Sequence, residues 1–295
     1  MSSLAGRRPA LAAVSALALA VSPSAVRPGA GAPAVATRAA TFGAAQLGAP
    51  QLGAPQLGAP QNGAPQNGAL QNGALQIGAP QFEANVPYDG RFTFARIRYT
   101  VYGRGGWEFD YPAMERNLMA VTRELTTLRP HVDGSNIHTL DDPELLKYPV
   151  SYLSEPGYWI PSDREAAGLR AYLAKGGFLI VDDFMRGEWD NFERQMRRVL
   201  PAARIVPLDV SHPVFDSFYR IASLDMPYPG RPQLRAQFLG IFEDNDLDGR
   251  LMVVINYNND IGDYMEWSGA GWWPVNVTND AYKLAVNYIV YGMTH

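Results

Sequence analysis

Residues Gly176 to Phe192 read GGFLIVDDFMRGEWDNF, and this stretch decides the fold class. Phe178 to Val181 is an unbroken apolar run without alternation, which is typical of a strand covered by helices on both faces. The two glycines before the run are typical of a helix end. The apolar residues after the run, at helical spacing from Phe192 onward, predict another helix. A helix, a buried strand and a second helix in succession indicate an α/β fold.

The chain around this strand continues the alternation. Further strands are predicted at Phe92–Val101, Tyr148–Leu153 and Arg204–Leu208. Helices and strands in this order predict a mostly parallel sheet with helices on both faces, as in flavodoxin-like folds.

Two of the predicted helices have readable ends. One runs from Pro112 to Leu128, with Asp110 as its expected cap and Leu125 in its expected buried stripe. The other begins at a capping box, in which Ser162 and Glu165 satisfy each other's backbone N–H groups.

The alternation of helices and strands ends near the C-terminus. Gln237–Glu243 and Arg250–Tyr257 are predicted to form an antiparallel hairpin, joined by the residues DNDLDG. That sequence matches the first half of a calcium loop, but Ile255 occupies the position of the essential bidentate carboxylate. The sequence therefore favours a solvated turn. A final helix from about Asn279 to Gly292 is apolar almost all round and should be buried.

Composition excludes several classes of function. The 295 residues include no cysteine, so disulfides, thiolate zinc sites and cysteine nucleophiles are excluded. The net charge of −4 argues against a nucleic-acid interface, which would carry a basic patch. No phosphate-binding glycine motif follows a strand, so nucleotide binding has no support.

The N-terminus is predicted to be an export signal over residues 1–25. Arg7 and Arg8 precede an apolar run from Leu11 to Val21, and small residues follow it. The run is too short for a typical membrane span, although an uncleaved anchor is the alternative. We therefore expect a periplasmic or extracellular protein, membrane-anchored if the signal is not cleaved, with no other span.

Residues 46–80 repeat a pentapeptide seven times, as in QLGAP and QNGAP. The repeat has no charge, no aromatic residue and little apolar bulk with which to offset chain entropy. We expect residues 26–86 to be a disordered tether and 87–295 to be a single domain. A β-solenoid is the alternative, but it would need a large inward residue on every rung.

Asp182 and Asp183 are the first candidate site. Ligands of open α/β sheets bind beyond the carboxyl ends of strands, where these two aspartates lie. They could ligate a divalent metal, act as a general base, or cap a helix. Trp189 is a candidate neighbour of the same site.

The segment NYNNDIGDYMEW is the second candidate and also follows a strand. Its candidate ligand-binding residues are Asn258, Asn259, Asp260, Asp263, Glu266 and Trp267. Amides, carboxylates and aromatic rings together suit a sugar or a hard cation, but also a loop that hydrogen-bonds to itself.

His212, in SHPVF, is a candidate acid–base group or a structural residue of an extended turn. The G-x-S-x-G elbow of a serine hydrolase is missing, so a catalytic triad has little support.

These candidates lead to a geometric prediction. If Arg250–Tyr257 runs parallel to Phe178–Val181, the aspartate pair and the loop Asn258–Asp263 meet at one edge of the sheet, with His212 as a third contributor. An Asp183–Asp260 separation beyond about 12 Å would exclude a shared, metal-bridged site.

Five segments together give a family resemblance: FARIRY, GGFLIVDDF, HPVF, GRLMVVINYNNDIGDYMEW and YKLAVNYIVYGMTH. They resemble the bacterial domain-of-unknown-function family 4159 over roughly residues 87–295. The resemblance implies a divergent class I glutamine amidotransferase-like fold. Because such enzymes use a cysteine nucleophile, the missing cysteine excludes glutamine hydrolysis. By analogy of fold, Asp183 lies near the usual nucleophile elbow and Asn258–Asp260 near the usual histidine and glutamate.

Two functions remain open at this point. The first is a non-catalytic binding or scaffolding module for an envelope protein or glycan. The second is a carboxylate-based hydrolase acting on glycans, with or without a divalent metal. No other cofactor is predicted.

Overall fold

A seven-stranded sheet in the order β2-β1-β3-β4-β9-β8-β5 forms the centre of the molecule. The structure is a computed structural model that describes residues 82–102 and 105–295. The strands are β1 Ala95–Ile97, β2 Asn136–His138, β3 Val150–Ser154, β4 Phe178–Phe184, β5 Val206–Pro207, β6 Pro227–Tyr228, β7 Arg231–Arg235, β8 Gln237–Phe242 and β9 Leu251–Tyr257. β6 and β7 form a separate antiparallel pair.

The sheet is mostly parallel, as predicted. β2, β1, β3, β4 and β9 are parallel neighbours, whereas β8 is antiparallel to β9 and β5 is antiparallel to β8. The predicted hairpin of β8 and β9 is therefore confirmed. Because β9 is parallel to β4, the carboxyl ends of these two strands point to the same edge of the sheet.

Helices cover both faces of the sheet. They are α1 Ala113–Leu125, α2 Asp163–Ala174, α3 Glu188–Val199, α4 Ile261–Glu266 and α5 Val275–Thr294. Helices α1, α4 and α5 share one core with Phe178 and Ile180 of β4. Helices α2 and α3 share the other core with Leu179 and Val181. All residues of β4 are buried, which confirms the prediction that this strand is central and covered on both faces.

Helix ends explain part of this arrangement. The capping box of α2 is present: Ser162 Oγ accepts from the N–H of Glu165, and the Glu165 carboxylate accepts from the N–H of Ser162. Gly176 has a φ of +100°, a left-handed conformation that favours glycine after a helix end.

No helix within residues 82–102 and 105–295 is long and apolar enough to cross a bilayer.

Five details differ from the sequence predictions. Strand β1 is much shorter than Phe92–Val101, and β2 and the β6–β7 pair were not predicted. β4 continues past Val181 to Phe184, so both aspartates lie inside the strand. Asp110 does not cap α1, which has no side-chain cap. Leu125 is exposed because the buried face of α1 is formed by Met114, Leu118 and their neighbours.

The folded part also begins earlier than residue 87. The Asn85 side chain hydrogen-bonds to the backbone of Ile137, and the N–H of Val86 donates to the Asn136 side chain. The ring of Phe82 packs against Trp107 at 4.8 Å. Residues 82–86 therefore pack against the domain. The predicted signal peptide and pentapeptide repeat lie outside the described residues.

Candidate functional site

Three aspartates meet at the carboxyl edge of the sheet. Carboxylate oxygens of Asp110, Asp183 and Asp260 all lie within 4.8 Å of one another. Asp183 and Asp260 are buried, and Asp110 is partly buried. The separation is well inside the 12 Å limit, so the two predicted segments do meet. Asp110, which the sequence pattern marked only as a helix cap, is the third member.

Local backbone geometry positions each member. Asp183 has a φ of 60° near the end of β4, where the register with β9 shifts between Val181 and Phe184. Asp110 is also left-handed, with a φ of 62°. Aspartate tolerates this conformation better than most residues do. Asp260 begins α4, where its Oδ1 accepts a hydrogen bond of 2.8 Å from the N–H of Asp263.

Asp182, the neighbour of Asp183, has a different role. Its Oδ2 accepts from the Tyr152 hydroxyl at 2.7 Å and from the N–H groups of Ile261 and Gly262 at 2.9 and 3.1 Å. Its Oδ1 accepts from Asn256 Nδ2 at 3.0 Å. Both oxygens are occupied, and Asp182 anchors the start of α4 to the sheet. It therefore caps a helix far along the chain, not the one that follows β4.

The contacts of Asp183 are much weaker. Its two oxygens accept from the hydroxyls of Ser154 and Tyr228 at 3.4 and 3.3 Å. Burial raises the pKa of Asp183 well above its usual range, and the carboxyl groups of Asp110 and Glu155 raise it further. Burial raises the pKa of Asp260 in the same way, and Asp183 contributes next. Burial also raises the pKa of Asp182, to about 6, although its hydrogen bonds oppose this rise. The adjacent aspartates therefore differ in their hydrogen bonding, which is complete at Asp182 and weak at Asp183.

A second group of carboxylates shares Asp110. Oxygens of Asp110, Asp263 and Glu266 also lie within 4.8 Å of one another, at the more exposed side of the cleft. Burial and the charge of Asp110 raise the pKa of Asp263 to about 6 and that of Glu266 to about 7. The Trp267 side chain lies beside both groups and partly lowers both pKa values.

Glu155 was missed by the sequence analysis. It follows β3 directly, and its Oε2 accepts a hydrogen bond from the N–H of Gly106 at 2.5 Å. Burial raises its pKa to about 7, and the nearby charges of Glu188 and Asp110 add to the effect. The rule that found Asp183 could have found Glu155, because both lie where a parallel strand reaches the carboxyl edge.

A buried arginine holds the loop that carries Asp110. Arg96 forms an ion pair with Glu115, and its Nη1 donates to the carbonyls of Trp107 and Phe109 at 2.7 Å each. Glu115 pairs with the charge of Arg96, and the same charge opposes the rise that burial causes in the pKa of Asp110. No lysine, arginine or histidine among the described residues forms an ion pair with Asp110, Asp183 or Asp260.

The two asparagines before Asp260 lie near the cluster and shape the backbone there. Asn258 has a φ of 54°, and its side chain accepts from the N–H of Arg186. Asn259 is fully buried, with its Nδ2 3.6 Å from Met226 Sδ. Trp189 packs with the core on the side of the sheet that α2 and α3 cover, where its ring stacks on Phe184.

His212 does not join the cluster. Its Nδ1 accepts from the N–H of Val214, and its ring lies beside Phe242 and Tyr291. Tyr291 in turn packs on Phe178, the first residue of β4. His212 therefore lies near the amino end of β4, and its expected place as a third contributor to the cleft is wrong.

The fold and the cluster define an α/β sheet protein with a cluster of carboxylates at the carboxyl edge of its sheet. The model of the family described as "Domain of unknown function (DUF4159)" matches residues 93–293, and the chain belongs to that family. No curated protein sequence matches the chain. The amidotransferase-like ancestry stays a prediction.

Proposed function

We propose that this protein is a divalent-cation-binding module of the cell envelope, in which Asp110, Asp183 and Asp260 ligate a cation that helps to hold an oxygen-rich ligand. The observation that carries the proposal is the convergence of these three carboxylates within 4.8 Å. The envelope location rests on the predicted export signal over residues 1–25.

Electrostatics supports a cation over a purely structural cluster. Ionised carboxylates whose oxygens lie within 4.8 Å of one another repel by at least about 3 kcal/mol at the effective dielectric constant typical of proteins. A structural cluster would relieve this cost with arginine or lysine, as Glu115 does with Arg96. A bound divalent cation would turn the repulsion into attraction and lower the raised pKa values.

The state of Asp110 gives further support. Its Oδ2 is a buried atom without a hydrogen-bond partner in the described structure. Buried polar atoms are normally satisfied by protein, water or an ion. The donor set contains only carboxylate oxygen, which suits Ca²⁺, Mg²⁺ or Mn²⁺ rather than a softer metal.

Isothermal titration calorimetry with Ca²⁺, Mg²⁺ and Mn²⁺ after chelation tests the proposal. We expect at least one of these ions to bind and to raise the melting temperature. Asp183→Asn should weaken binding at least tenfold, which corresponds to about 1.4 kcal/mol. Asp248→Asn, in the exposed calcium-like turn, is the matched control and should leave the affinity unchanged. Binding that survives Asp183→Asn but not Asp248→Asn would contradict the proposal, as would no binding at all.

A metal-assisted hydrolase is the second candidate, and Glu155 is the observation that favours it. Its pKa of about 7 suits a general base, and its charge acts on Asp183. Glu155 would accept the proton of a water that attacks a cation-bound substrate.

A panel of p-nitrophenyl glycosides separates the two candidates. A hydrolase should show turnover that depends on the cation and is lost in Glu155→Gln, while cation affinity stays within a few-fold of wild type. Cation binding without any turnover favours the binding module.

A further inference from the structure

Three tryptophans lie in the short connection between α4 and α5, directly beside the acidic cleft. The connection reads WSGAGWWP over residues 267–274. Trp267 lies beside the carboxyl groups of Asp263 and Glu266. Trp272 stacks on Trp267 with ring centroids 4.2 Å apart and an interplanar angle of 16°.

The outer side of this stacked pair is open to solvent. Trp272 is 62% exposed, an unusual state for the largest apolar side chain. Its ring nevertheless has a fixed orientation, because one of its faces rests on Trp267. The pair is therefore a flat aromatic surface one ring away from the carboxylates.

Anchors on both sides hold this surface in place. The Asn117 side chain donates to the carbonyls of Met265 and Glu266, at the end of α4. The hydroxyls of Ser268 and Tyr282 are 2.9 Å apart. Beyond Trp272, Trp273 turns inward and packs on Tyr264. An exposed aromatic ring on a fixed support binds a ligand with little loss of conformational freedom.

We propose that Trp272, supported by Trp267, is a stacking platform for a neutral sugar ring, so that the ligand of the cleft is a glycan. This inference rests on the proposed cation site and names the class of its ligand. A pyranose presents C–H groups on its faces and hydroxyls on its edge. The negatively charged face of an indole ring attracts such C–H groups.

The carboxylates of Asp263 and Glu266 favour a sugar over other ligands that stack on aromatic rings. Asp263 and Glu266 are hydrogen-bond acceptors that suit hydroxyl donors. Neither Asp263 nor Glu266 is a proposed cation ligand, so their negative charges remain to repel an anionic group held against Trp267 or Trp272. Vicinal hydroxyls could also complete the coordination of a hard cation held by Asp110, Asp183 and Asp260. A polyhydroxylated neutral ring therefore suits the aromatic surface of Trp272 and the carboxylates beside Trp267.

The test is binding of chitohexaose, cellohexaose and maltohexaose, measured by calorimetry and tryptophan fluorescence with each of the three divalent cations. We expect at least one hexasaccharide to bind with a Kd between about 10 µM and 1 mM. Trp272→Ala should weaken that binding at least tenfold, and Trp272→Phe should stay within about threefold because it keeps a stacking face. Cation binding should be unchanged in both variants, since Trp272 ligates nothing.

Two results would overturn the platform. One is a Trp272→Ala variant that binds the hexasaccharide as well as wild type. The other is binding of a lysine-rich peptide or of neutral lipid vesicles, with no binding of any hexasaccharide. Cation affinity is measured on the same samples. If the cation binds and no hexasaccharide does, the stacking platform is refuted and the proposed cation-binding function is not. Loss of cation binding in wild type would instead contradict the proposed function itself.

Discussion

Asparagine substitutions at two adjacent aspartates should change stability in opposite directions. Asp182→Asn and Asp183→Asn make the same chemical change, and asparagine tolerates the left-handed backbone at position 183. In protein stripped of divalent cations at about pH 8, we expect Asp182→Asn to destabilise the fold and Asp183→Asn to stabilise it.

The cost at position 182 follows from its hydrogen bonds. Oδ2 of Asp182 accepts from three donors, on Tyr152, Ile261 and Gly262, and Oδ1 accepts from Asn256. An amide places an NH₂ group against at least one of these donors, whichever way it is oriented. One buried donor without an acceptor costs about 1–3 kcal/mol. The free energy of unfolding should fall by about that amount.

The gain at position 183 follows from repulsion. Ionised carboxylates with oxygens within 4.8 Å of one another repel by at least about 3 kcal/mol, and protonation of one of them lowers the net cost. Removing the charge of Asp183 should therefore raise the free energy of unfolding by about 1–3 kcal/mol. The hydroxyls of Ser154 and Tyr228 can each donate to or accept from the new amide.

Urea denaturation with a chelator, at about pH 8 and about pH 4, measures both effects. The stabilisation by Asp183→Asn should disappear at the lower pH, because the wild-type carboxyl is then protonated and neutral. A saturating divalent cation should reverse the order of wild type and Asp183→Asn, since only wild type keeps the ligand. If Asp183→Asn is as destabilising as Asp182→Asn in the chelated protein, the carboxylates do not repel one another and the cation proposal loses its basis.

Three more predictions address the scaffold and its charge. Ile180→Ala should lower the free energy of unfolding by about 2–5 kcal/mol, as measured by urea denaturation. The control Leu247→Ala, at an exposed position, should lower it by less than about 0.5 kcal/mol. A chain beginning at Pro87 should melt at a lower temperature than one beginning at Phe82, because residues 82–86 pack on β2 and Trp107; equal melting temperatures would contradict this. Without divalent cations the protein should lose stability as pH rises from about 4 to about 7. The carboxyl groups with raised pKa, such as Glu266, stabilise the fold when they are protonated and lose that contribution as they ionise. A free energy of unfolding that rises between about pH 4 and about pH 7 would contradict this prediction.

Sequence patterns were sufficient for the scaffold because the decisive signals are local. The unbroken apolar run of β4 shows burial on both faces, and the capping box marks the start of α2. The parallel pairing of β9 with β4 then brings Asp260 to Asp183. The edge strand β2 was missed because three residues carry no readable period.

The rest of the site depends on long-range order that no local pattern contains. Asp110 reaches the cluster because β1 lies beside β3, and because Arg96 holds the intervening loop by its carbonyls. Nothing in the residues around Asp110 distinguishes that position from a helix cap. His212 shows the same problem in reverse, since a turn before a proline does not reveal which end of the sheet it will occupy.

The two adjacent aspartates also determine how cation-binding data must be interpreted. Asp182 anchors the start of α4, and that helix begins at Asp260, so a substitution at 182 will displace a proposed ligand without removing one. Weaker cation binding in Asp182→Asn is therefore expected, and it should come with lower stability. In Asp183→Asn, weaker binding should come with higher stability in the chelated protein. Ligation is the simplest explanation only for the second combination, because loss of a stabilising contact would lower stability, whereas functional sites often keep groups that cost stability.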